Sequence, residues 1–239
     1  AGKVTGNTHV TISGGDIWQN VYGGGNKSIV QGNKVVNIAG GWVHSNVYGG
    51  SNEIPFDPTW SHSGLKTVNM SGGKAHKLFG CSHNTIDGDF RMFDNGNGVI
   101  SIIDGQGNHK LVYEDSGTEY TGDVSDLTLE ARNTDPTSFI NISGGYLYDR
   151  GDDDNEERGS IHGAGLAGIV YGSVIVNIGA DAINYNPYKD FNVDSESLIS
   201  ELTLHGNATI PQSAHQPTKL QVSGSVYGGA DYYQSENNP

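Results

Sequence analysis

The sequence predicts an all-β protein built as a parallel β-helix, a solenoid of short strands with loops inserted at its bends. Three observations predict it. An apolar-polar-apolar triplet followed by a small residue and glycine recurs along the chain. An aliphatic-aromatic-glycine triplet recurs after it. Every copy runs in the same chain direction, which favours parallel stacking over hairpins.

The first motif reads Val10-Thr11-Ile12-Ser13-Gly14-Gly15, then Val36-Asn37-Ile38-Ala39-Gly40-Gly41, Val68-Asn69-Met70-Ser71-Gly72-Gly73, Ile140-Asn141-Ile142-Ser143-Gly144-Gly145 and Val176-Asn177-Ile178-Gly179-Ala180. Looser copies are Leu202-Thr203-Leu204-His205-Gly206 and Leu220-Gln221-Val222-Ser223-Gly224, with Ile100-Ser101-Ile102 as a degenerate one. Alternation with period two describes a short strand with one buried face, and the glycines supply a bend. Val10, Val36, Val68, Ile140 and Val176 are expected to form one inward ladder. Ile12, Ile38, Met70, Ile142 and Ile178 form the next. The residues between them, Thr11, Asn37, Asn69, Asn141, Asn177, Thr203 and Gln221, are expected to face water.

The second motif is Val21-Tyr22-Gly23, Val47-Tyr48-Gly49, Leu78-Phe79-Gly80, Val170-Tyr171-Gly172 and Val226-Tyr227-Gly228. Neighbours on a strand point to opposite faces, so the aliphatic and aromatic ladders lie on opposite sides. Whether the rings Tyr22, Tyr48, Phe79, Tyr171 and Tyr227 face in or out is left open, although Phe79 lacks a polar handle and favours the scaffold. Copies of the first motif lie between 18 and 40 residues apart. Helical repeats hold their period better than that, whereas a β-helix lets loops bulge from its bends. Residues 1–239 are read as one domain, with irregular insertions near 53–64, 83–98, 109–135, 149–163 and 181–197. A short capping helix is the alternative near 189–201.

Composition excludes several classes. Glycine is 36 of 239 residues without a three-residue period, which rules out collagen. A net charge of -14 with no basic cluster argues against nucleic acid and an anionic membrane. No apolar run approaches a membrane span. The single Cys81 allows no intrachain disulfide. It stands where Gly24 and Gly50 stand in the earlier copies, a place that suits a small buried thiol. The ends, Ala1-Gly2-Lys3 and Asn237-Asn238-Pro239, abut repeats and are expected to be cuts from something longer.

Trp18, Trp42, Tyr146 and Tyr148 follow the glycine bends, and Trp60 sits in a proline-containing loop. These five are the carbohydrate-binding candidates, since aromatic rings stack on sugar faces. The bland alternative is that they cover the ends of the core. Asp152, Asp153, Asp154, Glu156 and Glu157 offer hard oxygen donors and are the metal candidates, with Ca²⁺ as the ion. Consecutive carboxylates rarely aim at one point, so a solvated loop without any cofactor is the expectation. Asp16, Asp87, Asp104, Asp149 and Asp181 follow bends and would have to converge for glycoside hydrolysis. His44, His76, Lys77 and His83 are the nearest approach to a basic patch, and His44 and His76 read as isolated surface histidines. No catalytic residue is assigned.

The alternation of (V/I)-N-I-x-G-G with V-Y-G-G-G-N resembles the glycine-rich repeats of large secreted or surface proteins from gut bacteria. More loosely it is similar to the right-handed parallel β-helices of the pectate-lyase-like superfamily. The motifs cover residues 10–81 and 140–229 well and the middle poorly. The resemblance implies a right-handed coil, an extracellular location and a structural or adhesive, non-catalytic role. Glycans or surface proteins are then the partners, and the piece is expected to be a monomer. Carbohydrate binding is the first alternative function, and a polysaccharide lyase or glycoside hydrolase the second.

Overall fold

The computed structural model describes residues 2–54, 64–106, 108–132, 135–148, 159–179, 221–222 and 225–229. Among them the chain is all-β, with one 3-10 turn, Val124–Asp126, and no α-helix. Parallel sheets dominate. A long sheet orders Ser173–Ile178, Pro136–Leu147, Lys66–Ala75, Lys34–Val43 and Thr8–Ile17 side by side, in the order of the sequence. A short sheet repeats that order with Val226–Tyr227, Ile161–His162, Leu78–Phe79, Val47–Tyr48 and Val21–Tyr22. Each copy therefore places one strand in each sheet.

Register follows the motif residue for residue. Val10, Val36, Val68, Ile140 and Val176 are aligned, as are Ile12, Ile38, Met70, Ile142 and Ile178. With Val21, Val47, Leu78 and Ile161 from the short sheet, the middle members of both ladders make the main core. Both ladders loosen at the outermost strands, where Val10 and Val176 are only partly buried and Ile178 is exposed.

Of the alternate residues, Thr11 faces water as expected and Asn177 is partly exposed, but the three between them in the sheet do not. Asn37, Asn69 and Asn141 are buried, and their amides form a ladder. Asn69 Nδ2 donates to Asn37 Oδ1 (2.9 Å), Asn141 to Asn69 (2.9 Å) and Asn177 to Asn141 (2.8 Å). An amide carries both donor and acceptor, so identical side chains at β spacing satisfy one another, and burial costs little. Asn37 Nδ2 is the exception: it is buried with no acceptor, because the next strand carries Thr11.

The glycine after each aromatic residue is required by close approach. Gly49 N donates to Phe79 O (2.8 Å), and Gly80 N to His162 O (3.0 Å). A Cβ on Gly49 would collide with the carbonyl oxygen of Gly80. After a further bend, Asn26, Asn52, His83 and Leu166 bridge in parallel. Lys27, Glu53, Asn84 and Ala167 follow them, all left-handed, at φ 50, 46, 48 and 53°. The same tight turn is thus rebuilt in four copies from unrelated residues. A third side pairs Lys3–Val4 with Ile29–Val30, and Ile86–Gly88 with Ile169–Tyr171.

Four sequence expectations change. Ile100-Ser101-Ile102 is no copy of the first motif. It lies in Asn97–Ile103 of a separate antiparallel sheet ordered His109–Tyr113, Asn97–Ile103, Phe90–Asp94, Thr128–Ala131. That sheet replaces the polar excursion expected at 83–98 and has its own small core of Met92, Val99 and Leu127. Val222 aligns with Leu147 and not with Ile142. Tyr171 pairs on the third side, packs against Phe90 (5.6 Å) and stays outside the aromatic ladder. Of the insertions expected at 53–64 and 149–163, residues 55–63 and 149–158 lie outside the described residues, whereas Ile161–His162 is a strand of the short sheet. The insertion at 181–197, the helix near 189–201 and the copy at 202–206 also lie outside them.

Thr11→Asn should complete the amide ladder by offering Asn37 Nδ2 an oxygen. A gain of about 0.5–1.5 kcal/mol is expected from one recovered buried hydrogen bond. Denaturant unfolding of the variant measures it, and Thr11→Val, which offers no acceptor, should show no such gain.

Candidate functional site

Three arrangements of side chains arise from the stack. The first lies on the outer face of the long strands. Gly15, Gly41, Gly73 and Gly145 take positive φ (82, 80, 76 and 104°), and the register shifts between strands at these glycines. The strand resumes beyond each of them. Ile17, Val43, Ala75 and Leu147 then enter the core, while the residues on either side point out. The first outward column is Asp16, Trp42, Lys74 and Tyr146, aligned by register. The second is Trp18, His44, His76 and Tyr148.

These columns interlock. The His44 ring stacks on Trp18 (3.9 Å, 12°) and on Trp42 (3.9 Å, 22°). Tyr148 meets Trp42 edge-on at 5.6 Å and tilts against His76 at 5.8 Å. Lys74 Nζ lies 5.0 Å from the Trp42 ring centre, and Asp16 Oδ1 lies 3.4 Å from His44 Nε2. Trp42 Nε1 is buried without an acceptor among the described residues. Stacked rings present edges to solvent, so most ring faces here are spent on one another. Trp18, 69% exposed, is the exception.

Trp18, Trp42, Tyr146 and Tyr148 are therefore brought together on one face, in two columns. Trp60 lies outside the described residues, as do Asp152, Asp153, Asp154, Glu156 and Glu157. The histidines are not isolated on the surface: His44 is sandwiched, and His76 is buried. Counting from the second glycine exposes what was missed, because His44 and His76 fall three places on, as Trp18 and Tyr148 do. Of the scattered aspartates, Asp16 is on this outer face and Asp87 is buried. Asp104 holds a turn in the antiparallel sheet through Gln106 and Asn108. Asp149 and Asp181 lie outside the described residues.

The second arrangement is a continuous stack along the short sheet. Tyr22, Tyr48, Phe79, His162 and Tyr227 follow one another at 4.8–4.9 Å with planes within 21°. His162 fills the rung expected for Tyr171. Its motif, Ser160-Ile161-His162-Gly163, hides behind an imidazole that stacks as an aromatic ring does. Tyr48 and Phe79 are buried, and Asn46 Nδ2 donates to the Tyr48 hydroxyl at 3.3 Å.

The third arrangement is a polar cluster buried beside the core, which the sequence did not announce. Lys66 and Asp87 are both buried, with Nζ 3.0 Å from Oδ1. Ser82 N–H donates to Asp87 Oδ2 (2.7 Å), and the Ser82 hydroxyl donates to Oδ1 (3.0 Å). That hydroxyl also accepts from Ser51 N–H (2.8 Å), which fixes its direction. Burial opposes the Asp87 charge, but the Lys66 ammonium and the Ser82 donors outweigh it and hold the carboxyl below its ordinary value. Lys34, in register with Lys66, donates to Gly32 O (2.9 Å). Burial first, then the Lys66 charge, pushes it down to about 7. Burial and the Asp87 charge push Cys81 up to about 12, so its thiol stays protonated and inert.

No group of histidine, cysteine and carboxylate side chains able to hold a metal occurs among the described residues, and no helix there is long and apolar enough to cross a membrane. Compared with protein-family models, with curated proteins and with solved structures, the chain matches none.

Lys34 ties stability to pH. Its folded value of about 7 lies below the ordinary 10.5. Between these values the unfolded chain binds more protons, so stability rises with pH across that window and is flat below it. Lys34→Met should remove the slope and raise stability at pH 7 by about 1–4 kcal/mol, as when buried charge is replaced by apolar volume. Urea unfolding of both proteins across the window measures this. An equal slope in the variant would place the titrating group elsewhere.

Proposed function

We propose that the chain is a segment of a right-handed parallel β-helix from an extracellular, secreted or surface-attached bacterial protein, and that its role is structural and adhesive, not catalytic. One observation carries this reading. The side chains a groove-based catalyst would aim at solvent are joined to their own copies: the asparagines in an amide ladder, the rings of the short sheet in a stack. Parallel pairing along the long sheet, along the short sheet and, for two pairs of strands, on a third side supports the coil. The net charge of -14 is compatible with neutral glycans and with cationic protein partners.

Carbohydrate binding is a second reading, favoured by the continuous outer strip of Trp18, His44, Trp42, Lys74, Tyr146 and Tyr148. Trp18 offers the exposed ring, and Trp42 Nε1 is a donor in want of an acceptor. Ca²⁺ at 152–157 stays a proposal of the sequence alone.

Two measurements test these readings. Limited proteolysis of the native protein should spare 35–41 and 174–178, and a cut in either would break the coil reading. On a glycan array, binding by the strip should fall at least tenfold in Trp18→Ala, with the melting temperature little changed because that ring is mostly in solvent. Unchanged binding would remove the strip from any adhesive role.

A further inference from the structure

The buried Lys66–Asp87–Ser82 cluster is laid out for condensation as well as for an ion pair. Lys66 opens a long strand, and Asp87 lies in Ile86–Gly88 on the third side of the same copy. The pair therefore spans one turn of the chain from its beginning to its close. We propose that Lys66 and Asp87 join in an intramolecular isopeptide bond that makes this turn a covalent ring.

The geometry supplies what the step requires. The nucleophile, Lys66 Nζ, lies 3.0 Å from Asp87 Oδ1, with both side chains shut away from water. Lys66 first passes one ammonium proton across the ion pair to Oδ1, which leaves a neutral amine facing a carboxylic acid. As Nζ then attacks Cγ, negative charge moves to Oδ2. The Ser82 N–H already points there at 2.7 Å, as a donor to a developing oxyanion does. Oδ1 is the leaving oxygen. It sits between Nζ and the Ser82 hydroxyl, whose hydrogen is directed to it because the hydroxyl oxygen accepts from Ser51 N–H. The bond formed is Nζ–Cγ and the bond broken is Cγ–Oδ1. An ammonium and a carboxylate enter, an amide and one water leave. Two of the three ammonium protons depart on Oδ1, the first passed directly before attack and the second relayed by the serine hydroxyl, and one stays on the amide nitrogen. Nothing is oxidised or reduced, and no co-reactant is needed.

The surroundings also favour the product. In water an ammonium and a carboxylate are held apart from amide by their hydration. In a dry interior that hydration is missing, and burying both charges is costly even when they pair. Condensation removes both. It also removes the repulsion between the Lys66 ammonium and Lys34, which stands in register on the next strand. The amide keeps an oxygen for the Ser82 N–H, while the Ser82 hydroxyl gives up its acceptor Oδ1 as the water leaves.

Intact-mass spectrometry of the purified, denatured full chain is the test. A mass lower than the sequence mass by one water is expected, together with a branched proteolytic peptide joining the segments that carry Lys66 and Asp87. Lys66→Met and Asp87→Ala should each restore the full sequence mass, whether or not they fold, because the readout is covalent. Ser82→Ala should slow the conversion at least tenfold when mass is followed after refolding. A wild-type chain at its full mass after prolonged incubation in the native state would overturn the proposal. So would a water loss that persists in Lys66→Met, since it would then arise at another site.

Discussion

The structure depends on one constraint: each copy must hydrogen-bond to the next through its backbone, in register, along both the long and the short sheet. Along the long sheet this fixes which residue lies above which, so any side chain meets its own counterpart one strand away. Side chains that pair well with their own kind are thereby stabilised. Aliphatic residues fill the core, amides exchange donors and acceptors, and rings stack at near-contact distance. Like charges are the failing case, and among the described residues Lys34 over Lys66 breaks the rule in the interior. Asp87 pairs directly with Lys66 and favours the Lys34 charge only from farther off.

Much of the architecture was legible because this constraint writes itself into the sequence as repetition. The inward ladders followed from period-two alternation, and their alignment followed from the glycines. The amide ladder was misread because polarity alone was taken to mean exposure. The recurrence of asparagine at Asn37, Asn69, Asn141 and Asn177 carried the better signal, since a self-complementary side chain can recur at buried polar positions at little cost. His162 was missed for a related reason: the stack selects flat rings, and the chemical class that unites Tyr48, Phe79 and His162 is shape. The antiparallel sheet broke the repeat altogether. Its strands alternate as those of the repeat do, so Ile100-Ser101-Ile102 carried the right pattern into the wrong sheet.

The candidate site was less legible than the fold. The outer strip combines residues from four copies, each at the same offset from a positive-φ glycine, and that offset is only visible once the bulge is known. The buried cluster is harder still. Lys66 and Asp87 belong to different motifs within one copy, and nothing in their spacing indicates that their side chains turn inward and meet. Charged residues usually face solvent, so a pair facing inward gives no pattern to read.

The amide ladder has a direction. Every asparagine donates towards the copy that precedes it in the chain, so the side-chain dipoles add instead of cancelling. The described column begins with a bare N–H at Asn37 and runs towards a carbonyl oxygen at Asn177. Its two ends are chemically unlike, one hungry for an acceptor and the other rich in lone pairs. That bare N–H lies one strand inside the stack, because Thr8–Ile17 with Thr11 is laid beyond it, so the column of dipoles ends within the protein and not at its edge.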